Sequence, residues 1–181
     1  LYLVLTSSLS FLPLATLHSQ WVQTNGPYGG YVLSFAVSPA PGGENLFAGT
    51  NGGGVFLSTN SGTRWSPANA GLTNLRVQAL AMSPDGGNVF AGTLGGVFLS
   101  TNNGSNWNAV SAGLTNISVN AFAVVPAPGG TNIFAGTEGG VFLSTDNGTN
   151  WSEVNTGLTN TSVYALAFSP AAGESGITLF A

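Results

Sequence analysis

The octet Ser144-Thr145-Asp146-Asn147-Gly148-Thr149-Asn150-Trp151 has two close copies earlier in the chain. They are Ser58-Thr59-Asn60-Ser61-Gly62-Thr63-Arg64-Trp65 and Ser100-Thr101-Asn102-Asn103-Gly104-Ser105-Asn106-Trp107. All three read Ser-Thr-(Asp/Asn)-x-Gly-x-x-Trp, and each follows the same apolar run, Gly-Val-Phe-Leu. Trp21 has no octet before it but keeps the spacing: successive tryptophans lie 65 − 21 = 44, 107 − 65 = 42 and 151 − 107 = 44 residues apart. A repeat of this length makes each unit one supersecondary element, which buries its apolar faces by stacking on its neighbours.

Three further landmarks recur in register. An apolar segment ending in proline spans 32–39, 77–84, 119–126 and 163–170; a Phe-Ala-Gly-Thr segment spans 45–50, 88–93 and 132–137, with 178–181 as its partial copy. The run before the octet covers 54–58, 96–100 and 140–144, and the segment from each tryptophan leads to a Gly-Leu-Thr-Asn at 71–74, 113–116 and 157–160. Each apolar segment is short, rich in Val, Phe, Leu and Ala, and bounded by Gly, Pro, Asn or Ser, which are strand signals. Four short strands per unit predict an all-β chain, a β-propeller of four-stranded antiparallel blades. A β-solenoid is the alternative, but its coils repeat at shorter periods. The first segment, with its small alanines, suits the crowded innermost strand. Phe47, Phe90 and Phe134 on the second strand, and Phe56, Phe98 and Phe142 on the third, are expected between neighbouring sheets, each contributing about 2–3 kcal/mol by burial.

The octet falls between the third and fourth strands, where a hairpin must turn. The side-chain oxygen of Asn60, Asn102 or Asp146 can accept backbone N–H groups across its own turn, and Gly62, Gly104 and Gly148 can take a positive φ. The tryptophan ring is expected to pack back into its own blade, with an acceptor for its indole N–H. With these residues the chain resembles the Asp-box, or BNR-repeat, β-propellers: sialidases, xyloglucan-active glycoside hydrolases, sortilin-type receptors and photosystem II assembly factors. The resemblance covers 21–181, and departs from the family in Asn60 and Asn102, where Asn replaces Asp but keeps the acceptor oxygen. It implies that the box residues Ser58, Asn60, Gly62, Trp65, Ser100, Asn102, Gly104, Trp107, Ser144, Asp146, Gly148 and Trp151 are structural, on the face opposite any ligand.

Residues 1–19 read as a secretory signal peptide incomplete at its start, with an apolar stretch through Leu17 and cleavage after Ser19; the lone histidine, His18, leaves with it. A membrane anchor is the alternative, but the stretch is short and interrupted by serines. Trp21-Val22-Gln23 then reads as an isolated fourth strand that completes the last blade of the ring. Residues 20–181 form the propeller part, with blades at about 31–69, 77–111, 119–155 and a partial one at 163–181. Since closed propellers have about four to eight blades, the natural protein is expected to be longer, and to be secreted, cell-surface or periplasmic in a bacterium.

Composition narrows the chemistry. Two arginines, no lysine and a formal charge of −4 exclude the cationic cluster that nucleic acid requires. Zero cysteines exclude disulfides and thiolate sites. No residue set points to a cofactor or metal, and no membrane insertion is expected once the leader is removed. A glycosidase needs two carboxylates about 5–10 Å apart across the sugar. Asp85 lies in a Ser-Pro-Asp-Gly-Gly turn, Asp146 is a box residue, Glu44 and Glu174 sit in loops between the first two strands, and Glu153 lies on an outer strand. Only Glu138 is placed on the face where propellers bind ligands. The arginine cluster of sialidases is missing too, so no residue is assigned a catalytic role.

The expected contact face comprises the interblade loops 72–76, 114–118 and 158–162 and the turns 51–53, 94–95 and 138–139. Within it the blades differ at Arg76, Leu94, Glu138 and Tyr164, which are the candidate specificity residues. The reading is a non-catalytic module that binds or scaffolds a protein or glycan, with its oligomeric state open. The alternatives are a fragment of a glycoside hydrolase, sialidase- or xyloglucanase-like, with its catalytic residues beyond Ala181, and a photosystem II assembly factor-like protein.

Overall fold

The computed structural model describes residues 26–28, 30–40, 43–127, 130–170 and 177–181. The leader, Trp21-Val22-Gln23 and Glu174 lie outside the described residues. Every regular element among those described is a strand. Blade 1 is β1(Val32–Ala40), β2(Gly43–Thr50), β3(Val55–Ser58) and β4(Ser66–Pro67). Blade 2 is β5(Val77–Met82), β6(Val89–Thr93), β7(Gly96–Ser100) and β8(Asn108–Ala109), and blade 3 is β9(Val119–Ala127), β10(Gly130–Thr137), β11(Gly140–Ser144) and β12(Ser152–Glu153). A two-stranded sheet, β13(Ala167–Pro170) and β14(Ile177–Phe180), follows. Within each blade the strands are ordered as in the sequence and pair antiparallel, so each blade is a meander. Successive inner strands pack side by side, β1 on β5 and β5 on β9, which sets the blades as an arc of a propeller.

The packing explains the repeat letter by letter. Phe47, Phe90, Phe134, Phe56, Phe98 and Phe142 are all buried. One core cluster joins Phe47 and Val55 of blade 1 to Val89, Phe98 and Trp107 of blade 2; the next joins Phe90 and Val97 of blade 2 to Ile133, Phe142 and Trp151 of blade 3. The glycine of Phe-Ala-Gly-Thr lets the next inner strand approach. A Cβ on Gly92 would stand 2.6 Å from Val119 Cγ1, and one on Gly136 would stand 2.7 Å from Val163 Cγ1.

Two expectations are corrected in detail. The outermost strands do not begin at the tryptophan; they are two-residue pairings only, at Ser66–Pro67, Asn108–Ala109 and Ser152–Glu153. The backbone N–H of Trp107 donates instead to Ala70 O at 2.8 Å, and that of Trp151 to Ala112 O at 2.9 Å, both in the preceding blade's loop. The last inner strand begins at Ala167, not Val163. Ala167 pairs with Phe180, as Ala81 pairs with Phe90 in blade 2.

Candidate binding hollow on the inner strands

The inner strand of each of blades 1 to 3 carries an irregularity at the same place. In blade 1 Val32 pairs with Thr50 and Ser34 with Gly49, so Leu33 is skipped; Gln78 is skipped in blade 2 and Asn120 in blade 3 in the same way. A bulge of this kind re-aims a side chain out of the regular alternation. Leu33, Gln78 and Asn120, with Tyr164 at the matching position of the next unit, line one open hollow of about 500 Å³. Gln78 Nε2 donates to Asn120 Oδ1 at 2.8 Å, and Asn120 Nδ2 donates to Val163 O at 3.1 Å, which links β5, β9 and the segment leading into β13.

The rim comes from the turns at the same end of the blades. In each turn between the second and third strands a fully buried threonine hydroxyl closes the backbone. Thr93 Oγ1 donates to Gly96 O and accepts from Gly95 N, both at 2.9 Å; Thr137 repeats this with Gly140 O at 2.9 Å and Gly139 N at 3.0 Å. These turns hold Leu94 and Glu138 at the rim. Arg76 is fixed from the interblade loop, where its N–H donates to Asn74 Oδ1 at 3.0 Å and its backbone bridges to Asn51. Arg76, Leu94, Glu138 and Tyr164 all line the hollow. Leu33, Gln78 and Asn120 were missed from sequence, although the signal was present: the residue after the first valine of each inner strand is Leu, Gln, Asn or Tyr.

The boxes lie at the other end. Alternating antiparallel strands place the third-to-fourth-strand turn opposite the second-to-third-strand turn, so the octets face away from the hollow. Their geometry is the same three times over. Buried Ser100 Oγ donates to Asn102 Oδ1 at 2.9 Å and accepts from Gly104 N at 2.8 Å, and Asn102 Oδ1 accepts from Asn106 N at 2.9 Å. Asp146 makes the same bonds with Ser144 and Asn150 N, and its second oxygen accepts from Asn150 Nδ2 at 2.8 Å. Those hydrogen bonds, led by the Asn150 side chain, hold the Asp146 carboxyl below its ordinary range. Gly62, Gly104 and Gly148 have φ of 82°, 77° and 84°, and the residue before each, Ser61, Asn103 or Asn147, is left-handed as well.

The tryptophan rings are a correction. Those of Trp107 and Trp151 do not fold back into their own blade but reach across to the preceding one. Trp107 Nε1 donates to Ala68 O at 2.8 Å, and Trp151 Nε1 to Val110 O at 2.7 Å.

The carboxylates are dispersed. Ser83 Oγ and the Gly87 N–H bond to Asp85, lowering its pKa inside its turn, and Glu153 accepts from Asn155 Nδ2 at 2.6 Å on the outer edge. Glu44 is exposed on β2. Glu138 is the one carboxylate in the lining of the hollow. Among the described residues no group of three or more His, Cys, Asp or Glu is placed to hold a metal ion. No helix among them is long and apolar enough to cross a membrane.

Blades, boxes and their register define a β-propeller of the Asp-box (BNR-repeat) type. Solved structures of that type share the fold. An ancestral GH74 enzyme matches with a TM-score of 0.60 and 26% identity over 82% of this chain and 21% of that one. YCF48 bound to D1 peptide matches with a TM-score of 0.52 and 19% identity over 76% of this chain and 44% of that one. The GH74 enzyme of Niastella koreensis matches with a TM-score of 0.49 and 21% identity over 67% and 19%. The chain thus spans about a fifth of the GH74 enzymes and less than half of YCF48. No protein-family model and no curated protein sequence matches it.

Proposed function

We propose that this chain is a non-catalytic binding module, exported from a bacterial cell, that takes a protein or glycan ligand in the hollow of its inner strands. One observation carries the reading. The positions at which otherwise near-identical blades differ, Arg76, Leu94, Glu138 and Tyr164, converge on a single hollow. The surface is mixed: a cation, an anion, an exposed aromatic ring, aliphatic side chains and the amides of Gln78 and Asn120. Binding sites combine apolar area with a few placed polar groups in this way. A lone Glu138 supports binding over glycoside hydrolysis, which requires a carboxylate pair.

The test is a panel of neutral polysaccharides and synthetic peptides, probed with the wild-type chain and with a variant carrying Arg76→Ala, Leu94→Ala, Glu138→Ala and Tyr164→Ala. The expected result is a ligand whose affinity falls at least tenfold in the variant while the thermal midpoint stays within a few degrees. Equal affinity for every retained ligand would remove the hollow from the account. A second reading, part of a glycoside hydrolase, is favoured by the 26% identity to the ancestral GH74 enzyme over 82% of this chain. Under it the carboxylate pair lies in sequence outside these blades, and a chain extended past Ala181 releases reducing sugar from a polysaccharide. The likeness to YCF48, at 19% identity, speaks to fold alone and adds no support to an assembly-factor role.

A further inference from the structure

Two of the three boxes contain an Asn-Gly pair, Asn103-Gly104 and Asn147-Gly148, where the first box has Ser61-Gly62. Asn-Gly is the pair most prone to deamidation, because glycine has no Cβ to keep its backbone nitrogen from attacking the preceding side-chain amide. Both asparagines are exposed, but the nitrogen that must attack is not. Gly104 and Gly148 are buried, and each donates its N–H to the serine of its box, Ser100 Oγ or Ser144 Oγ, at 2.8 Å. The preceding blade closes over each glycine: a Cβ on Gly104 would stand 2.9 Å from Phe47 Cε1, and one on Gly148 would stand 3.2 Å from Val110 Cγ2.

The backbone adds a second restraint. Asn103 and Asn147 have φ of 54° and 58°, in the left-handed region. There the next nitrogen lies nearly opposite the Cβ, the arrangement farthest from ring closure. Reaction requires the peptide to rotate, and that rotation breaks the serine bond and lifts the glycine off the neighbouring blade. Asn51-Gly52, the third such pair among the described residues, is the contrast. Both of its residues are exposed, Asn51 is not left-handed, and the Gly52 N–H is shared between Thr50 O and Leu75 O, each at 3.1 Å.

We propose that Asn103 and Asn147 are latent modification sites, converted to aspartate or isoaspartate only when their box opens, and that the box serine is the residue that withholds the nucleophile. In the open box the Gly104 nitrogen gives its proton to solvent base and bonds to Asn103 Cγ, and the side-chain nitrogen leaves as ammonia. Water then adds to either carbonyl of the cyclic imide, giving aspartate or isoaspartate. Isoaspartate carries the main chain through its side-chain carbonyl and so adds a methylene to the turn. The turn then no longer brings Ser100 to the Gly104 N–H or aims Trp107 at Ala68 O, and the opening of a blade boundary is recorded in the covalent chain.

The test is peptide mapping by mass spectrometry after the intact chain is held in mildly alkaline buffer, with and without denaturing urea. In urea the three pairs are expected to react at similar rates. In the folded chain Asn103 and Asn147 are expected to react at least tenfold more slowly than Asn51, and equal rates at all three there overturn the proposal. Ser100→Ala is expected to raise the rate at Asn103 at least tenfold and to leave Asn147, whose Ser144 is intact, unchanged; Ser144→Ala gives the mirror result. An unchanged rate at Asn103 in Ser100→Ala overturns the role of the serine. An equal rise at both sites places the protection in the fold as a whole and overturns it as well.

Discussion

The indole N–H of Trp107 donates to the carbonyl of Ala68, 39 residues earlier and in the neighbouring blade. Its backbone N–H bonds to Ala70 O two residues on, and the ring is 2% exposed within the core cluster shared by blades 1 and 2. The box thus does two jobs. Ser100, Asn102 and Gly104 shape the turn, and the turn aims Trp107 across the blade boundary. Gly104 belongs to both, since its φ is positive and a Cβ there would stand 2.9 Å from Phe47 of blade 1. In repeat architectures stability is largely a sum of such nearest-neighbour interfaces.

Trp107→Phe keeps an aromatic ring but leaves Ala68 O without its donor and part of the pocket unfilled. The expected loss is about 2 kcal/mol, from the orphaned carbonyl and the smaller ring together. Trp151→Phe is expected to match it, because Val110 O is in the same position. Urea unfolding measures both. A shift of either variant below about 0.5 kcal/mol would make the interblade bond energetically idle.

Gly92→Ala tests the contact between the second strand of one blade and the inner strand of the next. The added Cβ would stand 2.6 Å from Val119 Cγ1 and 3.0 Å from Phe122 Cε2, so the blades must part. Overpacking of this type costs about 1–3 kcal/mol. The double variant with Val119→Ala should recover part of that loss, and a double-mutant cycle on the urea midpoints reads the coupling. Strict additivity would show that the two residues do not oppose each other.

The blade plan was legible because strand length, turn residues and the forty-odd-residue period are all local signals repeated three times. Phe90 and Phe98 could be placed between sheets because strand alternation fixes which side chains leave each face. The direction of Trp107 was not legible, since alternation gives no clue that the ring crosses to Ala68 of another blade. The hollow was half legible. Arg76, Leu94, Glu138 and Tyr164 stand out as differences among repeats; Leu33, Gln78 and Asn120 also vary from blade to blade, but they reach the hollow through bulges, and regular strand alternation does not reveal the one-residue skip that aims them there.

Asp146 gives a pH test. Its hydrogen bonds with Asn150 and Ser144 favour the ionised form, so its folded pKa lies below the ordinary 3.8. The native state therefore binds fewer protons than the unfolded chain, and the stabilisation is present above about pH 4 and lost as pH falls through the folded pKa. The carboxylate is exposed, so screening keeps the effect small. Asp146→Asn recreates the residue found at Asn60 and Asn102. The variant is expected to be slightly less stable than wild type at pH 6 and equal to it near pH 2. Urea midpoints at both values, in low salt, check this, and a gap that widens toward acid would reverse the assigned sign.

Asn120 ties the inner strands together, accepting from Gln78 and donating to Val163 O. Asn120→Leu removes both bonds at a half-buried position and leaves the Gln78 amide to water. The expected cost is about 1 kcal/mol. The loss should be local, because 163–166 lie outside the regular pairing of the last sheet and are held there by the Asn120 bond and by Val163 N donating to Thr137 O at 2.8 Å. Amide hydrogen exchange is expected to quicken at 163–166 and to stay unchanged in β2 and β6, whose bonds lie within blades 1 and 2. Exchange that rises uniformly across all blades would instead make Asn120 part of the global unfolding unit, with the four inner strands opening together.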